Sequence, residues 1–262
     1  MLSLAISPCP NDTFVFCAMA DRYRLTLDDV EALNRRAERG EFDLTKISVA
    51  AYGRVRERYA LLRAGGAAGF GVGPLLVAAS PRPPGGRIAI PGERTTAALL
   101  LRLLGDFETV PMRFDRIEDA VLAGEADCGV LIHEGRFTYE RKGLVRLADL
   151  GEVWEERMGC PLPLGAVAIR RELGAEAARR ADEEIRDSLL QARSRPEECA
   201  DFVRKHAREM DLEVIRRHIA LYVNDYTFPL DAHAVERLVS LGEAQGLYEP
   251  SGQPLFAYPP QD

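Results

Sequence analysis

The sequence predicts an α/β protein of two lobes with a helical C-terminal part, and three observations carry that expectation. Over the first 165 residues, short apolar or β-branched runs alternate with helical stretches, the order that builds α/β units around mainly parallel strands. Two Pro/Gly-rich stretches, at 80–86 and 159–165, interrupt that order and mark crossings between units. Beyond residue 170 the chain keeps only helical periodicity. The expected partition is residues 1–86 with 166–262 as one discontinuous α/β domain that carries the C-terminal helices, and 87–165 as a smaller inserted α/β domain.

The elements follow in order. Residues 2–6 read as a strand that leads through Pro8-Cys9-Pro10 into a helix over 12–20. A second helix over 28–39 stops at Gly40, where left-handed geometry is tolerated. After a strand at 43–49, Tyr52, Val55, Tyr59 and Leu62 recur at helical spacing while Arg54, Glu57, Arg58 and Arg63 take other faces, the pattern of an amphipathic helix. A strand at 72–79 runs into Ser80-Pro81-Arg82-Pro83-Pro84-Gly85-Gly86. Strands at 87–90, 110–114 and 128–132 then alternate with helices at 96–104 and 116–123. A last strand at 166–170 precedes three buried helical stripes, built on Ala181, Ile185 and Leu189, on Leu212, Ile215, Ile219 and Tyr222, and on Val235, Leu238 and Val239, with Asp231 as N-cap of the third.

Composition bounds the function. With 47% apolar, 29% charged and 7% aromatic residues over 262 positions, the chain has the make-up of an ordinary globular protein rather than a disordered one. A net charge of -7, from 34 Lys and Arg against 41 Asp and Glu, repels a phosphate backbone and excludes nucleic acid as a first expectation. No apolar run approaches the ~18 residues of a membrane helix, and residues 2–6 are too short for a signal peptide's apolar region, so the chain reads as cytoplasmic. Cys9, Cys17, Cys128, Cys160 and Cys199 are odd in number and show no C-x-x-C spacing, which predicts reduced thiols and no structural zinc. A small-molecule substrate is the expected partner, and a homodimer is left open.

Most catalytic signatures fail on spacing. Gly65-Gly66-Ala67-Ala68-Gly69-Phe70-Gly71-Val72-Gly73 follows a helix and lacks G-x-G-x-x-G, so it reads as a loop. His133-Glu134 would need a histidine where Phe137 stands to begin a zincin site, and neither a Walker sequence nor G-x-S-x-G occurs. His133 itself follows the apolar run Cys128-Gly129-Val130-Leu131-Ile132. That places an imidazole at the carboxyl end of a strand, where α/β folds bind small molecules, although a loop histidine bonded to the backbone would look the same. His206, His218 and His233 sit among helix charges and keep a merely structural reading. Pro91-Gly92-Glu93-Arg94-Thr95-Thr96 joins a strand to a helix, so Thr95 and Thr96 either receive a carboxylate at the helix N-terminus or simply cap it. Ser7-Pro8-Cys9-Pro10-Asn11-Asp12-Thr13 makes the same junction in the other lobe, with Cys9 a packed thiol rather than a nucleophile. In Leu44-Thr45-Lys46-Ile47-Ser48, Lys46 taken alone reads as a solvated charge.

Taken together, Ser7 to Phe14, Leu44 to Ser48, Gly71-Val72-Gly73-Pro74, Pro91 to Thr96, and Leu131-Ile132-His133-Glu134-Gly135-Arg136-Phe137-Thr138-Tyr139 resemble the 1,4-dihydroxy-6-naphthoate synthases of the futalosine route to menaquinone, in matching order along nearly the whole chain. The resemblance implies a fold similar to type II periplasmic binding proteins and a cytoplasmic enzyme with no cofactor and no metal. The implied reaction is carbon–carbon lysis of cyclic dehypoxanthinyl futalosine in a cleft between the lobes, releasing a small aldehyde. His133 matches the family's proton acceptor; the residues themselves add the adjacent Glu134, which could orient it or point away. Lys46, Ile47 and Ser48 with Thr95 and Thr96 match its substrate-contacting segments, and Asn11 and Asp12 join them as candidate contacts. One departure is Ala20-Asp21-Arg22, standing where the family carries His-Gly before a longer loop.

The chemistry needs only those groups. Expelling an aldehyde by breaking a carbon–carbon bond is a retro-aldol step, in which a base near neutral pKa removes a hydroxyl proton while the ring system gains aromaticity. Two other readings share the fold. A solute-binding module would carry an export signal, and a chorismate dehydratase-like sister enzyme would lack the Ser-Pro-Cys-Pro-Asn-Asp-Thr-Phe opening.

Overall fold

The computed structural model describes residues 1–206 and 211–259, in which the strands form two sheets. In chain order the first sheet takes β1 (Ser3–Ile6), β2 (Arg24–Leu27), β3 (Leu44–Ser48), β4 (Tyr59–Leu61) and β5 (Ala67–Gly69). The second takes β6 (Leu75–Ala78), β7 (Arg87–Ile90), β8 (Glu108–Pro111), β9 (Cys128–Leu131) and β10 (Val145–Asp149), and β11 (Leu162–Arg170) returns to the first. The first sheet runs β2-β1-β3-β11-β4, with β5 also on β11. There β1 lies parallel to β2 and β3, and β11 antiparallel to its three neighbours. The second runs β10-β6-β9-β7-β8, with β7 parallel to β8 and β9. Both are mixed sheets whose central strands are buried on either face, which is why Ser3–Ile6 and Cys128–Leu131 read as continuous rather than alternating apolar runs.

The helices α1 (Pro10–Phe16), α2 (Val30–Glu38), α3 (Val49–Val55), α4 (Thr96–Leu101), α5 (Ile117–Leu122), α6 (Gly135–Thr138) and α7 (Leu150–Met158) fill the connections. Then α8 (Gly174–Ser194), α9 (Pro196–His206), α10 (Leu212–Tyr222) and α11 (Ala232–Ala244) form the expected helical part. Sequence caps behave as read. Asp231 accepts from Ala234 N at 2.9 Å, and Gly40 takes φ +68, with Arg58 packed where a Cβ would stand. The largest apolar cluster joins the sheets: Ile47 and Ala166 of the first share it with Leu76, Ile88 and Val130 of the second. A second cluster, with Leu4, Ile6, Phe16, Val167 and Ile185, lies under α1 and α8.

Five expectations are corrected. The helix expected through Leu62 stops at Val55. Tyr59–Leu61 instead forms β4, because pairing with β11 and a 2.6 Å bond from the Tyr59 hydroxyl to Phe42 O outweigh the helical spacing. The strand Leu75–Ala78, placed in the first lobe, pairs with β9 and β10 in the second sheet. The crossing therefore precedes it, and Ser80 to Gly86 turns back within one sheet. The edge strands β2 and β10 were not foreseen, since half-exposed runs with charges carry little strand signal, and the glycine stretch read as a loop holds β5, paired with β11. Finally, Cys17 and Cys199 are joined as a disulfide, because α1 packs on α9 and brings their Cα atoms to 5.6 Å across 182 residues; Cys9, Cys128 and Cys160 are buried thiols. Among the described residues no helix is long and apolar enough to cross a membrane.

Candidate active site

Strand ends from both sheets, with α4 and α10, enclose a cavity of about 90 Å³. It brings together Asn11, Asp12, Lys46, Ile47, Ser48, Thr95, Thr96 and His133, every residue the sequence singled out as a candidate. It also collects Ser7, Leu164, Gly165, His218 and Tyr222. Among the described residues no three His, Cys, Asp or Glu side chains are grouped so as to hold a metal ion.

His133 follows β9 with φ +55, the one left-handed residue other than glycine among those described. That conformation costs an ordinary residue about 1–2 kcal/mol, so the surrounding structure holds it there. The ring meets Phe114 edge-on at 4.9 Å, and its Nδ1 lies 3.2 Å from Cys9 Sγ. Burial above all, then the charges of Glu134 and Asp12, push the Cys9 thiol well up, so it stays protonated, as a packed thiol should. Arg136, one turn further on, donates to Gly73 O and to Asp149 Oδ2 at 2.7 Å, pinning the segment after His133 to the start of α7.

Lys46 is not the solvated charge expected from its sequence alone. It is buried, with Nζ 2.7 Å from Asp12 Oδ1 and donating to Gly65 O at 2.7 Å. Asp12 in turn accepts from the Ser7 hydroxyl at 2.7 Å and the Asn11 amide at 3.0 Å. The β3 strand delivers Lys46 and Ser48 to the same end, and the buried Asn34 of α2 holds Ser48 by donating to its Oγ at 3.0 Å and accepting from its N at 2.9 Å. Thr95 caps α4, accepting from Ala98 N at 3.2 Å and donating to Gly92 O at 2.8 Å; Thr96 donates to Leu164 O at 2.8 Å and accepts from Ala50 N at 3.3 Å. Of the two readings the sequence left open, capping is what the Thr95 hydroxyl does. Both threonine protons are committed within the protein.

His218 is the residue that sequence reasoning missed. It was placed among surface charges, yet it is fully buried beside Tyr222, with ring centroids 4.7 Å apart, and 6.3 Å from the ring of His133. Its position was legible, because Ile215, His218 and Tyr222 fall three and four apart on the buried stripe of α10. Burial first, then the neighbouring His133, hold its pKa well below the usual histidine value, so the ring is neutral. His206 and His233 stay outside the cavity.

Comparison with known proteins narrows what such a cavity serves. The family described as menaquinone biosynthesis matches residues 2–244. A Thermus thermophilus protein named 1,4-dihydroxy-6-naphthoate synthase is 48% identical, covering 97% of this chain and 98% of its own. One of that name from Streptomyces coelicolor is 43% identical, with 98% of each chain covered. The architecture is that of periplasmic binding proteins: the ligand-binding component of an ABC-type import system from Staphylococcus aureus, at 13% identity, superposes with a TM-score of 0.73 over 98% of this chain and 96% of its own.

Proposed function

The chain belongs to the menaquinone biosynthesis family, whose close members are named as synthases, and from that premise we propose that it is a carbon–carbon lyase making 1,4-dihydroxy-6-naphthoate from cyclic dehypoxanthinyl futalosine. The observation that carries the reading is the convergence of five separated sequence motifs on one cavity around a histidine held at φ +55. His133 takes the proton of the hydroxyl on the ribose-derived carbon. The adjacent carbon–carbon bond then breaks, its electron pair passes to the ring carbonyl as an enolate, and the detached piece leaves as an aldehyde. The proton held by His133 returns to the enolate oxygen, which gives the aromatic diol. The Ser48 hydroxyl, already accepting from Asn34, has its proton to give to the substrate carboxylate, beside the backbone of Thr96 and Ala97. Ligand pockets usually enclose ~300–1,000 Å³. A cavity of about 90 Å³ therefore supports a closed state, with the two sheets moving as lobes that part to admit the substrate.

The test is to incubate the purified protein with cyclic dehypoxanthinyl futalosine and follow the naphthoate by mass spectrometry, beside His133→Asn. Asparagine tolerates the left-handed backbone, so the variant should melt like the wild type. Turnover should fall by ~10²–10⁴ and the acid limb of the pH profile should disappear. A folded variant that keeps both turnover and limb removes His133 from the role of base.

A further inference from the structure

The cavity's polar side chains are nearly all in use by the protein. Asp12 is shared by Lys46 and Ser7, Ser48 is held by Asn34, and both threonine hydroxyls bridge to backbone. His218 differs. Neither Nδ1 nor Nε2 has a hydrogen-bond partner among the described residues, although the side chain is 0% exposed and lines the cavity. A buried polar group left unmatched by the fold is rare and expensive, and a substrate atom is the partner that would repay it. Tyr222 and Phe137, with ring centroids 4.7 and 6.1 Å away, support the imidazole by ring contacts that use neither nitrogen. At 6.3 Å between centroids, His133 and His218 are too far apart to bond each other and close enough for one substrate to touch both.

We propose that His218 is a second catalytic residue, whose ring N–H donates to the substrate carbonyl oxygen that receives the electron pair when the carbon–carbon bond breaks, while His133 takes the hydroxyl proton. This rests on the lyase reading above and divides its labour between two rings. The step is balanced. The hydroxyl proton moves to His133 and the pair it leaves on oxygen becomes the aldehyde π bond; the carbon–carbon pair becomes the enolate double bond, the carbonyl π pair goes to its oxygen, and His218 keeps its proton while stabilising that oxyanion. A neutral donor suits the place, because an imidazolium there would face the imidazolium that His133 becomes. Preorganised donors of this kind act where charge develops and so show in turnover rather than in binding.

The experiment uses the full chain as wild type, His218→Phe and His218→Gln, with melting curves, steady-state kinetics on cyclic dehypoxanthinyl futalosine, and titration with the naphthoate product. Phenylalanine keeps a ring against Tyr222 and Phe137, so His218→Phe should melt no lower than wild type while kcat falls ~10²–10³ with KM within about threefold. Glutamine restores a donor and should recover about tenfold of that loss. Turnover of His218→Phe within about threefold of wild type overturns the proposal, and so does a variant that fails to fold or melts lower, which would make the nitrogens structural. A wild type that converts no substrate overturns the lyase reading instead. His218 is then judged by product affinity, which should weaken about tenfold in His218→Phe, and equal affinity overturns its contact with ligand.

Discussion

Replacing Asp12 by asparagine should be among the most damaging single changes in the site, for reasons that can be worked from its geometry. The Lys46 ammonium and the Asp12 carboxylate lie 2.7 Å apart with side chains 6% and 3% exposed. At an effective dielectric of about 20, unit charges at that separation attract by about 6 kcal/mol, most of it offset by the cost of removing both from water. The Asp12→Asn variant would leave the ammonium with Gly65 O as its remaining full partner, and breaking a buried pair in this way typically costs about 3–5 kcal/mol. For a chain of this size that corresponds to a melting point lower by ~6–20 °C. Lys46→Met should cost less, because Ser7 and Asn11 still donate to the carboxylate. The double variant removes both charges and should regain at least ~2 kcal/mol over the sum of the singles. Urea unfolding of the four proteins measures this cycle, and strictly additive losses would show that the pair is not coupled.

Two further outcomes are expected. Because native His218 resists protonation while an unfolded histidine does not, the unfolded chain binds the extra proton as pH falls through ~6.5; stability is full above that value and declines below it by up to about 1.4 kcal/mol per pH unit, a slope that urea midpoints between pH 5 and 8 should show reduced in His218→Phe. Thr95→Val removes the oxygen that accepts Ala98 N and should cost ~0.5–2 kcal/mol of stability while the KM of a folded variant changes little; an affinity loss at unchanged stability would return Thr95 to direct ligand binding.

The fold class and most strands were legible because buried strands and amphipathic helices leave opposite periodicities. Ile6 and Val130 end or sit in short apolar runs that nothing else explains. What was misread depended on partners distant in sequence. Tyr59 falls on a helical stripe, and only β11, far later in the chain, draws it into a strand. Leu75–Ala78 carries no mark of which sheet it joins, and Cys17 none of Cys199. In the site, residues in strand-to-helix junctions were found because such junctions point at cavities, whereas the burial of Lys46 follows from Asp12, which local sequence does not place beside it. His218 was discounted because Arg216 and Arg217 adjoin it, although charge at neighbouring positions says nothing about the face a helical residue occupies.

The distribution of charge around the cavity accounts for why the proposed reaction is assigned to histidines. Lys46 is the only Lys or Arg and Asp12 the only carboxylate among its described lining residues, and each cancels the other. The chain as a whole carries a net charge of -7, so neither the surface nor the pocket attracts an acidic substrate by simple field. Recognition then falls to uncharged donors held at fixed places, such as the Ser48 hydroxyl set by Asn34. In the proposed reaction catalysis falls to two imidazoles whose arrangement the fold does not favour for its own sake: His133 in a left-handed backbone and His218 with both nitrogens unmatched by the described protein. Strain and unmet polarity of this kind persist where the surrounding packing outweighs them. The apolar cluster that joins the two sheets behind the cavity supplies that packing, so the groups that weaken the native state are concentrated where a substrate would relieve them.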